Sequence, residues 1–292
     1  YFTHACFLEH DTGSNHPECP DRLRAVNKSP SDGKFDALDR RTPPEVDRDA
    51  IARVHSGEYI DGVFDTIPQE SRAHLDPDTV VSPRSREAVL RAAGAVTAAV
   101  DAVHSGDVQN AFCAVRPPGH HAERDKAMGF CVFNNVAIGA AHARHALGLG
   151  RVAVIDFDVH HGNGTQSFFA ADEDYFFAST HQFPHYPGTG AADEVGVGNI
   201  VNVPLLPGSG SAEFKKGMEK IVLPRLRSFD PDFLFISAGF DAHRDDPLGD
   251  LNLTEADYVW ATSALLGLAT DCCDGRLVSV LEGGYNFDAL GN

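Results

Sequence analysis

Apolar and β-branched residues gather in five short runs along the chain, at 111–115, 152–157, 176–179, 233–237 and 277–281. Runs this short, with little polar alternation, fit strands buried on both faces. Between them the pattern changes to helical spacing. Residues 85–103 are Ala-rich with few breakers, 136–147 are similar, and 213–226 follow a Gly/Ser turn. Residues 254–269 open on Thr254, an N-cap residue with Asp257 three positions on. Strands alternating with helices predict an α/β fold: a single domain with a mostly parallel central sheet and helices on both faces. The stretches 28–50 and 182–212 read as loop-rich. No repeat, low-complexity tract or Pro/Ser linker divides the chain, so residues 1–292 are expected to form one domain.

Composition narrows the partners. With 292 residues, 42% of them hydrophobic and 23% charged, the chain can bury a large core. No apolar run reaches about 18 residues, so no membrane span is expected, and no signal-peptide pattern is present. The sequence opens on Tyr1 and stops at Asn292, just past a Gly-rich turn, which suggests a domain lacking its extreme N- and C-terminal residues. A formal net charge of −18 argues against nucleic acid as a direct partner. Such a charge can steer cationic substrates, although solubility alone accounts for it as well. Six cysteines without a CxxC pair fit reduced thiols in a cytoplasmic protein, with the adjacent Cys272 and Cys273 as packing residues.

The polar clusters sit directly after the predicted strands, where open α/β sheets form ligand sites. Asp158 and His160 alternate after 152–157, so in extended geometry both side chains can face one way. Together with Asp241, beyond 233–237 and its Ala-Gly-Phe extension, they make a candidate ligand set for a borderline cation such as Zn²⁺. Taken alone, a turn capped by Asp158 and His160 and a helix capped by Asp241 explain them equally well. The second cluster presents His120 and His121 after a stiff Pro117-Pro118 turn. Tandem histidines are poor core residues because both rings need partners, and they suit acid–base chemistry on a water. A hydrated surface pair is the plain alternative. Glu282-Gly-Gly-Tyr285 frees the backbone to set a phenol over a site, where it can donate to a developing oxyanion; it also reads as an ordinary turn. Gly129-Phe130, in a Met-Gly-Phe-Cys loop, could line a narrow tunnel.

Together these segments resemble the histone deacetylase family, within the arginase/deacetylase fold. The matching stretches are His16-Pro-Glu-Cys-Pro-Asp-Arg22, Arg116-Pro-Pro-Gly-His-His121, Gly129-Phe-Cys131 and Asp156-Phe-Asp-Val-His-His-Gly-Asn-Gly164, continuing through Tyr186-Pro-Gly-Thr-Gly190, Ser237-Ala-Gly-Phe-Asp241 and Glu282-Gly-Gly-Tyr285. They are collinear and span nearly the whole chain. The resemblance implies one Zn²⁺ held by Asp158, His160 and Asp241. It makes His121 the general base and later acid, with His120 its electrostatic neighbour, Asp156 orienting His120 and Asn163 orienting His121. Asn163 stands where class I members have Asp, which resembles class II instead. Tyr285 would polarise the scissile carbonyl, and Gly129, Phe130, Tyr186 and Leu248 would line the acyl-lysine tunnel. Tyr186 departs from the Phe common in the family. A structural K⁺ is implied near Asp156, Asp158, His160, Ser179 and Thr180.

Four functions follow as expectations. The leading one is a deacetylase of acetylated lysine in peptides or proteins. The second is an acetylpolyamine amidohydrolase, whose class II relatives carry an acidic gatekeeper after the Asp-Pro pair; here Asp245-Asp246-Pro247-Leu248 ends in Leu, resembling the lysine-specific form. An arginase-like ureohydrolase with two Mn²⁺ would leave His120, His121 and Tyr285 without a role. A non-catalytic acyl-lysine binder fits poorly, since every catalytic position is filled. A homo-oligomer is left open.

Overall fold

The computed structural model describes residues 1–28, 33 and 35–292; residues 29–32 and 34 of the expected 28–50 loop lie outside it. Four short helices, α1 (Cys6–Glu9), α2 (Pro20–Lys28), α3 (Arg48–Ala52) and α4 (Gly57–Thr66), precede an antiparallel ribbon, β1 (Ala73–His74) and β2 (Val80–Val81). The chain then alternates through α5 (Ser85–His104), β3 (Asn110–Cys113), α6 (Asn135–His145), β4 (Val152–Asp156), α7 (Asn163–Phe169), β5 (Tyr175–Gln182), β6 (Ile200–Leu205), α8 (Ser211–Gly217), α9 (Leu223–Phe229), β7 (Phe233–Ala238), α10 (Glu255–Cys273), β8 (Leu277–Leu281) and α11 (Phe287–Gly291).

Six strands form one sheet in the order β3-β8-β7-β4-β5-β6, and every pairing in it is parallel. Parallel strands carry helices on both faces, so successive side chains enter two separate cores. In β4, Val152 and Val154 pack with Phe235, Val278 and the apolar faces of α5 and α6. Ala153 and Ile155 point the other way, among Leu234, Ile236, Leu265 and Leu268. This is why the strand sequences read as unbroken apolar runs. Close helix packing depends on Gly139 of α6, where a Cβ would run into Val96 of α5.

Three of the four helix expectations are met by single helices, α5, α6 and α10. Asn134 caps α6 by accepting the Ala137 N–H at 3.0 Å, and the Asp257 carboxylate accepts both the N–H and the hydroxyl of Thr254, each at 3.0 Å, at the start of α10. Residues 213–226, expected as one helix, are instead α8, a π-helical turn at Met218–Val222, and α9. Pro224 explains the break, because it has no N–H to donate back into the preceding turn. The stretch 182–212 is not all loop: it contains β6, the sixth strand. Pro204 masked it, and the strand tolerates Pro204 because β6 lies at the sheet edge.

Candidate active site

Because the sheet is parallel, the carboxyl ends of its strands open on one edge, and loops from five strands converge there. They enclose a cavity of about 230 Å³. His120 and His121 reach it from beyond β3, His160 from beyond β4, and His185 and Tyr186 from beyond β5; Leu248 follows β7 and Tyr285 follows β8.

At its floor, Asp158, His160 and Asp241 bring one ligand-type atom each within 4.8 Å of one another. His160 Nδ1 lies 3.1 Å from Asp158 Oδ1 and 3.2 Å from Asp241 Oδ2. Main-chain donors aim both carboxylates. The Gly283 N–H reaches Asp158 Oδ2 at 2.8 Å, and the Val159 N–H reaches Asp241 Oδ1 at 2.8 Å. A Cβ at Gly239 or Gly283 would run into these carboxylates, so glycine is required at both positions. Burial, reinforced by the neighbouring Asp158 charge, pushes Asp241 up to about 7. Asp158 is held well below the carboxylate range: burial opposes this, but His120 and His160 outweigh it. One imidazole and two buried, pre-aimed carboxylates fit a divalent cation of the zinc type. Asp241 begins no helix, so the plain capping explanation fails for it. Among the described residues a second group, His4, Cys6 and Glu87, is similarly close, but both Glu87 oxygens are occupied by Arg84 and Arg91 at 2.9 Å.

The tandem histidines are buried and differ sharply. His120 Nδ1 donates to Asp156 Oδ2 at 2.9 Å, and its Nε2 lies 3.8 Å from Asp158. Burial disfavours its charge, yet Asp156 and Asp158 win, and its pKa rises well above the usual imidazole value. His121 pairs through Nδ1 with Asn163 Oδ1 at 2.8 Å. Burial and the facing His120 and His160 push its pKa well below the usual value, so it is a neutral imidazole. The two adjacent histidines are thereby biased in opposite directions.

The walls are aromatic. Met128 and Cys131 exchange main-chain hydrogen bonds across Gly129 and Phe130, whose φ values are 56° and 69°, as in a type I′ turn. Gly129 lies against the His121 ring, where a Cβ would collide, and Phe130 projects into the cavity. Phe130 meets Tyr285 edge-on at 5.9 Å, and Tyr186 meets His121 edge-on at 5.3 Å. Asp156 pairs in register with Ser179 of β5. The Ser179 hydroxyl bonds His181 Nδ1 at 2.8 Å, whereas the buried Thr180 hydroxyl has no partner among the described residues.

Several residues at the site went unread in the sequence. Asp78 lines the cavity and accepts the Gly129 N–H at 3.2 Å across 51 residues of chain; its only local signal is the Asp76-Pro-Asp78-Thr79 turn. His185 stacks on His160 at 5.0 Å and donates from Nε2 to the Leu248 carbonyl at 3.0 Å. Glu282 accepts the N–H groups of Gly119 and His120 at 2.7 and 3.1 Å, seating the histidine turn. Beneath Tyr285, Arg22 donates from Nε to the Gly284 carbonyl at 2.6 Å and also bonds the Glu282 carbonyl. Glu18 pairs with both Arg22 and Arg116 in full burial.

A histone deacetylase domain profile matches residues 16–292, and the chain belongs to the histone deacetylase family. The family is one of deacetylases and related amidohydrolases. The chain is 39% identical to a type-2 histone deacetylase 2 of Dictyostelium discoideum, over 98% of this chain but only 19% of that protein's length. It is 38% identical to a histone deacetylase-like amidohydrolase of Pseudomonas aeruginosa, over 96% of this chain and 75% of that one. The solved structure of an HDA15 HD domain superposes with a TM-score of 0.94 at 38% identity, covering 99% of this chain and 84% of that one. The fold is therefore that of the deacetylase domain, a parallel sheet between helical layers.

Proposed function

We propose that this chain is a zinc-dependent deacetylase that removes acyl groups from the side-chain amine of lysine in peptides or proteins. The observation that carries this reading is the convergence of Asp158, His160 and Asp241 at the floor of a cavity, beside two buried histidines, one paired with the Asp156 carboxylate and the other with the Asn163 carboxamide. Bound to those three residues, zinc would supply Lewis-acid charge that acidifies a water and polarises the substrate carbonyl. His121, neutral and with Nε2 unengaged by Asn163, takes the proton of the attacking water and returns it to the departing amine. His120, kept cationic by Asp156, stabilises the negative charge that develops beside it. Tyr285 donates its phenolic hydrogen to the same developing oxyanion. Phe130 and Tyr186 flank the extended acyl-lysine side chain. For K⁺, the candidate oxygens are those around Asp156, Asp158, His160, Ser179 and Thr180, and the unpartnered Thr180 hydroxyl favours an ion there.

Elemental analysis should find one zinc per chain, and Asp241→Ala should abolish it. Full zinc content in that variant, or none in the unmodified protein, would overturn the ligand assignment.

The lysine reading rests on Leu248, an apolar side chain at the cavity rim. Its neighbours do not replace an acidic gatekeeper. Asp246 is spent on main-chain N–H groups, and Asp245 lies near His243 and Arg244. Asp78 favours the acetylpolyamine alternative, because it sets a carboxylate at the cavity where a second ammonium could pair. A two-manganese ureohydrolase reading would leave the buried His120–Asp156 and His121–Asn163 pairs and Tyr285 without a role. Steady-state kinetics with zinc-loaded protein decide between the substrates. The kcat/KM for an acetyl-lysine peptide should exceed that for acetylputrescine or acetylspermidine, and a polyamine preference of about tenfold or more would reverse the substrate assignment.

A further inference from the structure

We propose that Asp246 is a positioning residue, whose carboxylate ties the cavity rim at Leu248 to the turn that carries Tyr285. Asp246 lies in the loop after β7 and is buried. Its Oδ1 accepts the Leu248 N–H at 3.0 Å. Its Oδ2 accepts the Tyr285 N–H at 2.7 Å and the Asn286 N–H at 3.2 Å. Three main-chain donors from two loops thus share one side chain, which reaches across 39 residues of chain to Tyr285. Removing it would leave those donors without their acceptor, a costly condition for a main-chain N–H out of water.

The need for such an anchor follows from the sequence around Tyr285. Gly283 and Gly284 precede it, and Gly284 sits at φ 121°, so the chain reaches Tyr285 with no side chain of its own to brace it. Glycine is enforced at 283 by the carboxylates of Asp158 and Asp241, so the flexibility cannot be removed locally. Arg22 holds the carbonyls of Glu282 and Gly284 from one side. Asp246 holds the amides of Tyr285 and Asn286 from the other. A second tie from the same loop, Asn286 Nδ2 to the Asp245 carbonyl at 3.0 Å, runs alongside. Because the Leu248 amide uses the same carboxylate, a shift of the rim is felt at Tyr285. Asp246 touches no reacting atom; it acts by fixing where the Tyr285 ring stands, and the inference rests on the reading of Tyr285 as the oxyanion donor.

The test compares Asp246→Ala and Asp246→Asn in the zinc-loaded enzyme with an acetyl-lysine peptide, and follows the backbone amide resonances of Leu248, Tyr285 and Asn286. The Ala variant should lose about 10²-fold in kcat with KM little changed and zinc content intact, as expected for a misplaced catalytic group. The Asn variant keeps one acceptor oxygen, enough for the paired donors of Tyr285 and Asn286, so it should recover about tenfold of that loss. In the Ala variant the amides of both loops should shift together. A kcat within about twofold of the unmodified enzyme in folded Asp246→Ala overturns the proposal, as does Asn rescuing nothing over Ala. If the Ala variant does not fold, the Asn variant decides alone: lower kcat at constant KM with a displaced Leu248 amide supports the link, and unchanged kcat with unmoved amides removes it. The amide shifts need no turnover. If the unmodified protein leaves acetyl-lysine untouched, the deacetylase reading fails, and coupled or uncoupled amide shifts still decide the role of Asp246.

Discussion

Replacing His121 with alanine is expected to lower kcat by about 10²–10⁴-fold, the range for losing a general acid–base group, while zinc content and fold are retained. The chain fixes which nitrogen accepts the proton. Asn163 Nδ2 donates to Glu123 Oε1 at 2.7 Å and to the His121 carbonyl at 3.3 Å. That pins the carboxamide with Oδ1 toward the ring, so His121 Nδ1 must carry the hydrogen it donates to Asn163. The lone pair is left on Nε2. Burial and the neighbouring His120 keep this ring from protonating before its turn, and a neutral imidazole is the form a base requires. His120 lacks that freedom, because Asp156 holds it cationic. His120 therefore cannot take over in the variant, and the loss should appear in kcat more than in KM. Turnover within about tenfold of the unmodified enzyme, in folded and zinc-loaded His121→Ala, would place the proton transfer elsewhere.

The sequence disclosed what depends on local pattern. Val152, Val154, Ala153 and Ile155 enter two different cores, so a strand buried on both faces is written as a plain apolar run, and five of the six sheet strands were readable that way. The sixth carries Pro204 and Asn202, and only its edge position, a property of the whole sheet, makes it a strand. The same division holds at the site. Asp158, His160 and Tyr285 follow strand ends closely, His121 stands on the longer turn beyond β3, and all four were legible with their motifs. Asp78 was not, because it reaches the cavity through a bond to Gly129 across 51 residues. Glu282 and Asp246 stood in view with no role that local pattern could assign. Each serves main-chain N–H groups from a distant loop, and a chain of letters does not say which amides a carboxylate will meet. The protonation difference between His120 and His121 was foreseeable from Asp156 and Asn163, but its size depends on burial.

Tyr285→Phe should lower kcat by about 10²–10³-fold, the cost of removing one oxyanion donor, without loss of zinc or stability. Desolvation lifts the phenol pKa well above its usual value despite the guanidinium of Arg22 beside the ring, so Tyr285 keeps its hydrogen and can only donate. The proposed zinc ligands are Asp158, His160 and Asp241 rather than the phenol, and Phe retains the ring that Arg22 faces at 4.7 Å and Phe130 meets at 5.9 Å. Packing and metal binding therefore stay constant while a single hydrogen bond is lost. That bond strengthens only as negative charge grows on the substrate oxygen, so kcat should fall and KM should hold. Binding of a hydroxamate, anchored at the floor, should weaken far less than turnover. Combined with Asp246→Ala, the phenol substitution should add little, because a misplaced Tyr285 has already surrendered the same hydrogen bond. Full turnover in folded, zinc-loaded Tyr285→Phe would make Tyr285 a turn residue and nothing more. A rise in KM with kcat unchanged would show that the phenol binds substrate and transition state equally and adds nothing to the chemical step.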